Sequence, residues 1–181
     1  MKFASTLAPF FAMASTLAST HFQGISPSNS IGGASSYTCR SQDDWNRLAV
    51  DVRNNGFKTI RITGFDCDAL ELASNAAASN GLTIMAGIYV PGSMSDSIVN
   101  INNQVQDFKN AYFRWGSSLY VGLTIGNEVN DNSGAIMAKV YDVRGYLQSV
   151  GVWTPVSTVH TWVRVRDDPA LCGADFVGAN A

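Results

Sequence analysis

A glycine, an amide and a carboxylic acid in succession, Gly126-Asn127-Glu128, close an apolar run over residues 119–125 and lead into Asn130-Asp131. A carboxylic acid at the end of a buried strand is placed to give a proton to a leaving group and later take one back. The amide beside it is placed to hold the substrate meanwhile. Breaking a glycosidic bond needs such a donor together with a second carboxyl group that stabilises or captures the cationic carbon. Groups of similar competence follow other apolar runs: Asp66 and Asp68 after residues 58–63, Tyr89 after 82–88, and His160 and Trp162 after 154–159. Asn180 stands near the run 175–179.

Residues spaced this way need strands that open onto one common end, and the intervening sequence reads as the helices that separate them. Ser41-Gln42-Asp43-Asp44 has the form of a capping box with Asp in the last place, followed by Trp45, Leu48, Ala49 and Val52 on one helical face. A second helix is expected over 69–79, stopped by Asn80-Gly81. A third, capped by Ser95 or Asp96, aligns Ile98, Ile101, Val105, Phe108 and Tyr112. A fourth aligns Ile136, Val140, Val143 and Leu147, with Gly151 as its C-cap. A first strand is expected over residues 22–25. Strands alternating with helices imply a parallel sheet covered by helices, an α/β fold. A doubly wound sheet would carry a glycine-rich phosphate turn, and no GxGxxG or P-loop pattern is present. Function-bearing residues after several successive strands fit a TIM (β/α)8 barrel. The expectation is an incomplete barrel with about its first six strands, reaching Ala181 before closure. Its open edges and divided core would favour instability and aggregation.

Composition narrows the ligand. The 181 residues are 46% hydrophobic and 14% charged with a formal net charge of −2, which offers no basic surface for nucleic acid or an acidic membrane. Met1-Lys2 followed by small and apolar residues to Ala18, interrupted by Pro9, reads as a signal peptide over 1–20, with the barrel segment over 21–181. No further apolar run is long enough for a membrane span. A secreted protein of the cell exterior or cell wall is expected. Of the cysteines, Cys39 and Cys67 are candidates for a disulfide tying the first loop to the end of the second strand, which leaves Cys172 without a partner. No CxxC or Cys/His cluster points to a metal site.

The ordered blocks Phe57–Ile62 with Asp66-Cys67, Ile84–Tyr89, Thr124–Val129, Pro155–Trp162 and Asp175–Ala181 resemble the fungal glycoside hydrolase family seventeen. Its members are β-1,3-glucan endoglucosidases and glucanosyltransferases. The resemblance covers most of the chain beyond residue 22. It implies a TIM barrel with the proton donor after strand four and a carboxylate nucleophile after strand seven. Glu128 matches the donor, and Asn127 the amide that holds the sugar's 2-hydroxyl. The first strand departs from the pattern, because Gln23-Gly24-Ile25-Ser26-Pro27 lacks the tyrosine common there.

The resemblance implies retention of configuration, with the two carboxyl groups roughly 5–5.5 Å apart and a covalent glycosyl intermediate. Glu128 would act as acid and then as base, with burial near the sheet favouring its acid-competent form. The nucleophile's strand is not in the sequence, so these 181 residues are expected to hydrolyse nothing by themselves. Tyr89, His160 and Trp162 either contact glucose rings or pack the barrel rim. Asp66 is either a substrate contact or a structural partner of Arg61 or a backbone amide. Asp131 either tunes Glu128 or is a solvated loop residue, while Trp45 and Trp115 are read as packing. No cofactor is needed for carboxylate chemistry on a glycoside. The alternative reading is a non-catalytic secreted protein that binds β-1,3-glucan.

Overall fold

The computed structural model describes residues 23–33 and 36–180. The expected signal peptide over 1–20 lies outside the described residues, as does Phe22 at the head of the expected first strand.

Six parallel strands form one sheet: β1 (Gly24–Ile25), β4 (Thr59–Arg61), β5 (Thr83–Ile88), β6 (Tyr120–Asn127), β7 (Val156–Thr161) and β8 (Gly178–Asn180). Each pairs with the next in chain order. This order never reverses, so the sheet has no switch point of the doubly wound kind and instead curls as part of a barrel. Helices α1 (Gln42–Asn54), α2 (Ala69–Ser79), α3 (Ile98–Trp115) and α4 (Ser133–Ser149) provide the crossovers, with a short α5 (Trp162–Asp167) after β7. A two-stranded antiparallel hairpin, β2 (Ser30–Ile31) with β3 (Thr38–Cys39), stands apart from the sheet.

Local chemistry sets these boundaries. Ser41 caps α1 in a complete capping box with Asp44, and Trp45, Ala49 and Val52 point inward. The core lies between the helices and one face of the sheet. It takes every second residue of the strands, Ile60, Ile62, Ile84, Leu123 and Ile125 among them, against Trp45, Phe108, Ile136 and Leu147. Full burial of side chains of this size stabilises by about 1.5–3 kcal/mol each.

Several expected boundaries shift. Ser97, rather than Ser95 or Asp96, precedes α3, because Ser93 and Asp96 close a tight polar turn of their own. Val150 is the C-cap of α4, and Gly151 follows it at φ +84°. The fifth sheet strand runs two residues further than expected, so His160 lies inside it, and Trp162 opens α5. The sixth begins at Gly178, because the carboxylate of Asp175 is engaged by Arg144 and by the Val156 N–H.

Candidate active site

In a regular strand Asn127 and Glu128 would point to opposite faces. The end of β6 breaks that alternation. Gly126 has φ +76°, and a Cβ there would stand 2.3 Å from Val129 Cγ2, so only glycine fits this turn. Glu128 itself is left-handed at φ +55°, a conformation that costs a non-glycine residue about 1–2 kcal/mol. Its N–H is anchored on the Val159 carbonyl at 2.7 Å. The result is that both side chains converge on one amide: Asn180 Nδ2 donates to Glu128 Oε1 at 2.6 Å and to Asn127 Oδ1 at 3.1 Å.

Two of these contacts span every other strand. Arg61 on β4 reaches across β5 to donate from Nη2 to Asn127 Oδ1 at 2.9 Å, and Asn180 on β8 reaches the same oxygen across β7. Side chains meet in that way on the concave face of a curled sheet. Burial draws the Arg61 guanidinium below its ordinary value, and its Nε is buried without a partner among the described residues. Arginine and the asparagine NH2 only donate, so Asn127 must turn its oxygen toward both. Its own NH2 is thereby left to donate elsewhere.

The loop after β6 is fixed from two sides. Arg164 on α5 donates from Nη1 to the Val129 carbonyl at 2.7 Å and from Nη2 to the Asp131 carbonyl. Asp131 Oδ2 accepts from the Met94 N–H at 2.9 Å, tying in the loop after β5. Asp131 is thus neither a solvated bystander nor shown touching Glu128; it is a brace.

The remaining expected site residues separate. Glu128 is exposed, so the burial expected to act on it is absent. His160 is 1% exposed, with Nε2 on Thr158 Oγ1 at 3.1 Å and Nδ1 unpartnered among the described residues. Alternation along β7 places it on the face opposite Val159, the register partner of Asn127, so its ring offers no surface for stacking. Burial is the first cause holding the imidazole below its ordinary pKa. The Arg164 charge adds to this, while Glu128 and Asp168 pull the other way. Trp162 is half-exposed, with the Arg166 guanidinium 5.0 Å from its ring centre. Asp66 does not pair with Arg61; it accepts from Tyr37 Oη and from Asn29 Nδ2, the latter at 2.8 Å. Trp45 and Trp115 pack, with Trp115 Nε1 on Glu71. Cys39 and Cys67 form a disulfide, Cα to Cα 5.3 Å, while Cys172 is an exposed thiol.

Two residues escaped sequence reading. Arg61 was visible only as a possible partner of Asp66. Tyr37 carried no signal beyond its place two residues before Cys39. A groove of about 680 Å³ lies at the ends of β4 and β5, with Tyr37 and Tyr89 among its lining residues. Among the described residues no three His, Cys, Asp or Glu side chains gather to hold a metal ion, and no helix is long and apolar enough to cross a membrane.

The model of the BtgE/BtgC glycoside hydrolase domain matches residues 25–181. The chain is 30% identical over 153 residues to "Probable family 17 glucosidase SCW4" of Saccharomyces cerevisiae, an alignment covering 81% of this chain and 37% of that protein. It is 31% identical over 162 residues to the cell surface mannoprotein MP65 of Candida albicans, covering 86% and 39% respectively. Among solved structures, a glycoside hydrolase family 17 β-1,3-glucanosyltransferase from Rhizomucor miehei matches with TM-score 0.68 at 20% identity, over 88% of this chain and 57% of that one. An endo-laminarinase from Formosa matches with TM-score 0.71 at 10% identity, over 88% and 49%. At these identities the structures share the fold. The chain spans less than two fifths of the length of either curated relative.

Proposed function

The chain belongs to the BtgE/BtgC glycoside hydrolase domain family, and we propose that it acts on β-1,3-glucan outside the cell with Glu128 as the acid/base. The observation that carries this reading is the convergence of Asn127 and Glu128 on the Asn180 amide. Asn180 occupies Glu128 Oε1, which leaves Oε2 to bear the proton delivered to the glycosidic oxygen. Arg61 and Asn180 occupy Asn127 Oδ1, which leaves its NH2 to donate to a sugar hydroxyl beside the reacting carbon. Support for the substrate comes from the family 17 relatives, and for an exterior location from the leader-like residues 1–20 and the cell-surface name of one relative.

A retaining reaction requires a second carboxylate close to the first. The described hydrogen bonds of Glu128 run to Asn180 and Val159, while Asp66, Asp131 and Asp175 are engaged elsewhere. The 181 residues are therefore assigned the acid half of the machinery and no turnover by themselves. A reducing-sugar assay on linear β-1,3-glucan is expected to show no product, and Glu128-dependent turnover would reverse that assignment. The exposure of Glu128 favours a second reading, a glucan-binding protein of the same fold. Affinity for β-1,3-gluco-oligosaccharides that survives Glu128→Gln but is lost in Asn127→Ala would favour the binder.

A further inference from the structure

We propose that His160 is a positioning residue that ties the hold on Glu128 to pH: it stands in the chain between the two residues that anchor Glu128, and protonation of its buried ring loosens them. The proposal rests on the reading of Glu128 given above and adds a control that acts from the far face of the sheet.

The two anchors flank His160 closely. The Glu128 N–H is bonded to the carbonyl of Val159, immediately before His160, at 2.7 Å. The carbonyl of Val129, immediately after Glu128, accepts from Arg164 Nη1 at 2.7 Å, and Arg164 Nη2 donates to the Asp131 carbonyl. Arg164 is brought there by the first turn of α5, which Thr161 Oγ1 caps by accepting from the Arg164 N–H at 3.3 Å. Residues 159–164 therefore hold the chain on both sides of Glu128. Its left-handed φ of +55° persists because the surroundings fix it. Within that stretch His160 is the one side chain able to change its charge near neutrality.

The ring is accommodated as a neutral group. It is 1% exposed, Nε2 meets Thr158 Oγ1 at 3.1 Å, and Nδ1 has no partner among the described residues. Protonation turns both nitrogens into donors. Nδ1 would then be a buried, charged donor with nothing to accept from it, a state that is avoided by staying neutral or by opening. Burial first and the Arg164 charge second disfavour the charged ring, while Glu128 and Asp168 favour it. The other elements packed on β7 add no free charge: β6 and β8 carry no charged side chain, and in α4 Lys139 pairs with Asp142 and Arg144 with Asp175. Arg164 is thus the group that both repels a charged His160 and holds Glu128, so the repulsion falls on the anchor itself.

Above about pH 6.5 the ring is neutral whether the segment around Glu128 is closed or open. Below it the open form takes the proton first, so acid favours opening. A ring released to its ordinary value raises the opening equilibrium by up to about tenfold between about pH 7.5 and about pH 5.5.

Hydrogen exchange on the whole chain, with each amide's protection corrected for its intrinsic rate, tests this. The Glu128 amide should be less protected than that of Phe108 in α3. In the wild type its protection should fall several-fold, up to about tenfold, from about pH 7.5 to about pH 5.5. In His160→Gln, which keeps a neutral hydrogen-bonding side chain, the fall should shrink to less than about twofold. Equal falls in both proteins overturn the proposal. So do Glu128 and Phe108 amides that exchange only together in one global opening, since a merely structural histidine would give that result. Should His160→Gln fail to fold, Arg164→Gln decides. It is expected to leave the Glu128 amide less protected at pH 7.5 and less sensitive to pH; an amide that keeps the wild-type protection or the wild-type pH dependence overturns the proposal. Saturating laminarihexaose separates this from the reading of Glu128, because a sugar bound there favours the closed segment and raises the protection of the Glu128 amide. A His160-dependent pH effect without that rise keeps the role of His160 and overturns the glucan reading. A rise without the pH effect keeps the glucan reading and overturns the role of His160.

Discussion

The two faces of the sheet are made by alternate residues of the same strands and have opposite characters. On the helix side Ile60, Ile84, Leu123 and Ile125 are fully buried members of one apolar cluster. On the concave side Thr59, Arg61 and Met85 are half-buried, Asn127 and Glu128 are exposed, and the contacts are single hydrogen bonds between side chains from distant strands. The helix side is insured by redundancy, since removing one side chain leaves many contacts. The concave side has little, because the Glu128 carboxylate accepts from Asn180 and the Asn127 oxygen from Asn180 and Arg61 alone among the described side-chain hydrogen bonds. Stability and the proposed function are thus assigned to different faces, and substitutions should separate them.

The largest effect is expected from the helix side. Phe108, fully buried with its ring edge-on to Tyr120 at 5.1 Å, should cost about 3–5 kcal/mol on truncation to alanine, read by urea unfolding. A loss below about 1 kcal/mol would mean that the helix layer is looser than its burial indicates. Next comes Gly126→Ala, where both the positive φ and the contact with Val129 resist a methyl group; about 1–3 kcal/mol of destabilisation is expected by the same measurement. Glu128→Gly runs the other way. Relief of the left-handed glutamate should raise stability by about 0.5–1 kcal/mol while abolishing the proposed acid, and a destabilised variant would show that the Asn180 contact outweighs the strain.

The smallest expected effect is a pH slope from His160. Its pKa is lower folded than unfolded, so both states are neutral above the ordinary value near 6.5 and the stability is complete there. As pH falls through that value the unfolded chain takes up the proton first, and stability declines until the folded value is passed. Unfolding compared at about pH 7.5 and about pH 5.5 should show this loss in the wild type and a smaller one in His160→Gln. Equal slopes would remove His160 as the source.

The helix side was also the legible one. Amphipathic spacing announced α1 with its capping box at Ser41, and α2 was read at its observed limits, because both signals lie within a few residues of sequence. The strand ending in Gly126-Asn127 could be read from a long apolar run. The hairpin could not, since two-residue strands such as Ser30–Ile31 have no period to detect. Nor could the pairing of Arg61 with Asn127, residues 66 positions apart that meet only because the sheet curls. Which of the two roles open to His160, glucose contact or packing, could not be read either: the observed fifth strand extends to Thr161, alternation decides the face, and the ring is buried. The helix that Trp162 opens left no signal, because α5 is too short to show a helical period.

Arg164 has a consequence for motion. One guanidinium grips the carbonyls of Val129 and Asp131, and the carboxylate of Asp131 grips the backbone of Met94. The segments after β5, β6 and β7 are therefore coupled mechanically. None can swing outward without breaking a bond that belongs to another, so local opening should take all three together as one cooperative unit. In hydrogen exchange that unit would be recognised by a common opening free energy for the amides of Met94, Asp131 and Arg164. The three segments behave as a frame rather than as three independent flaps.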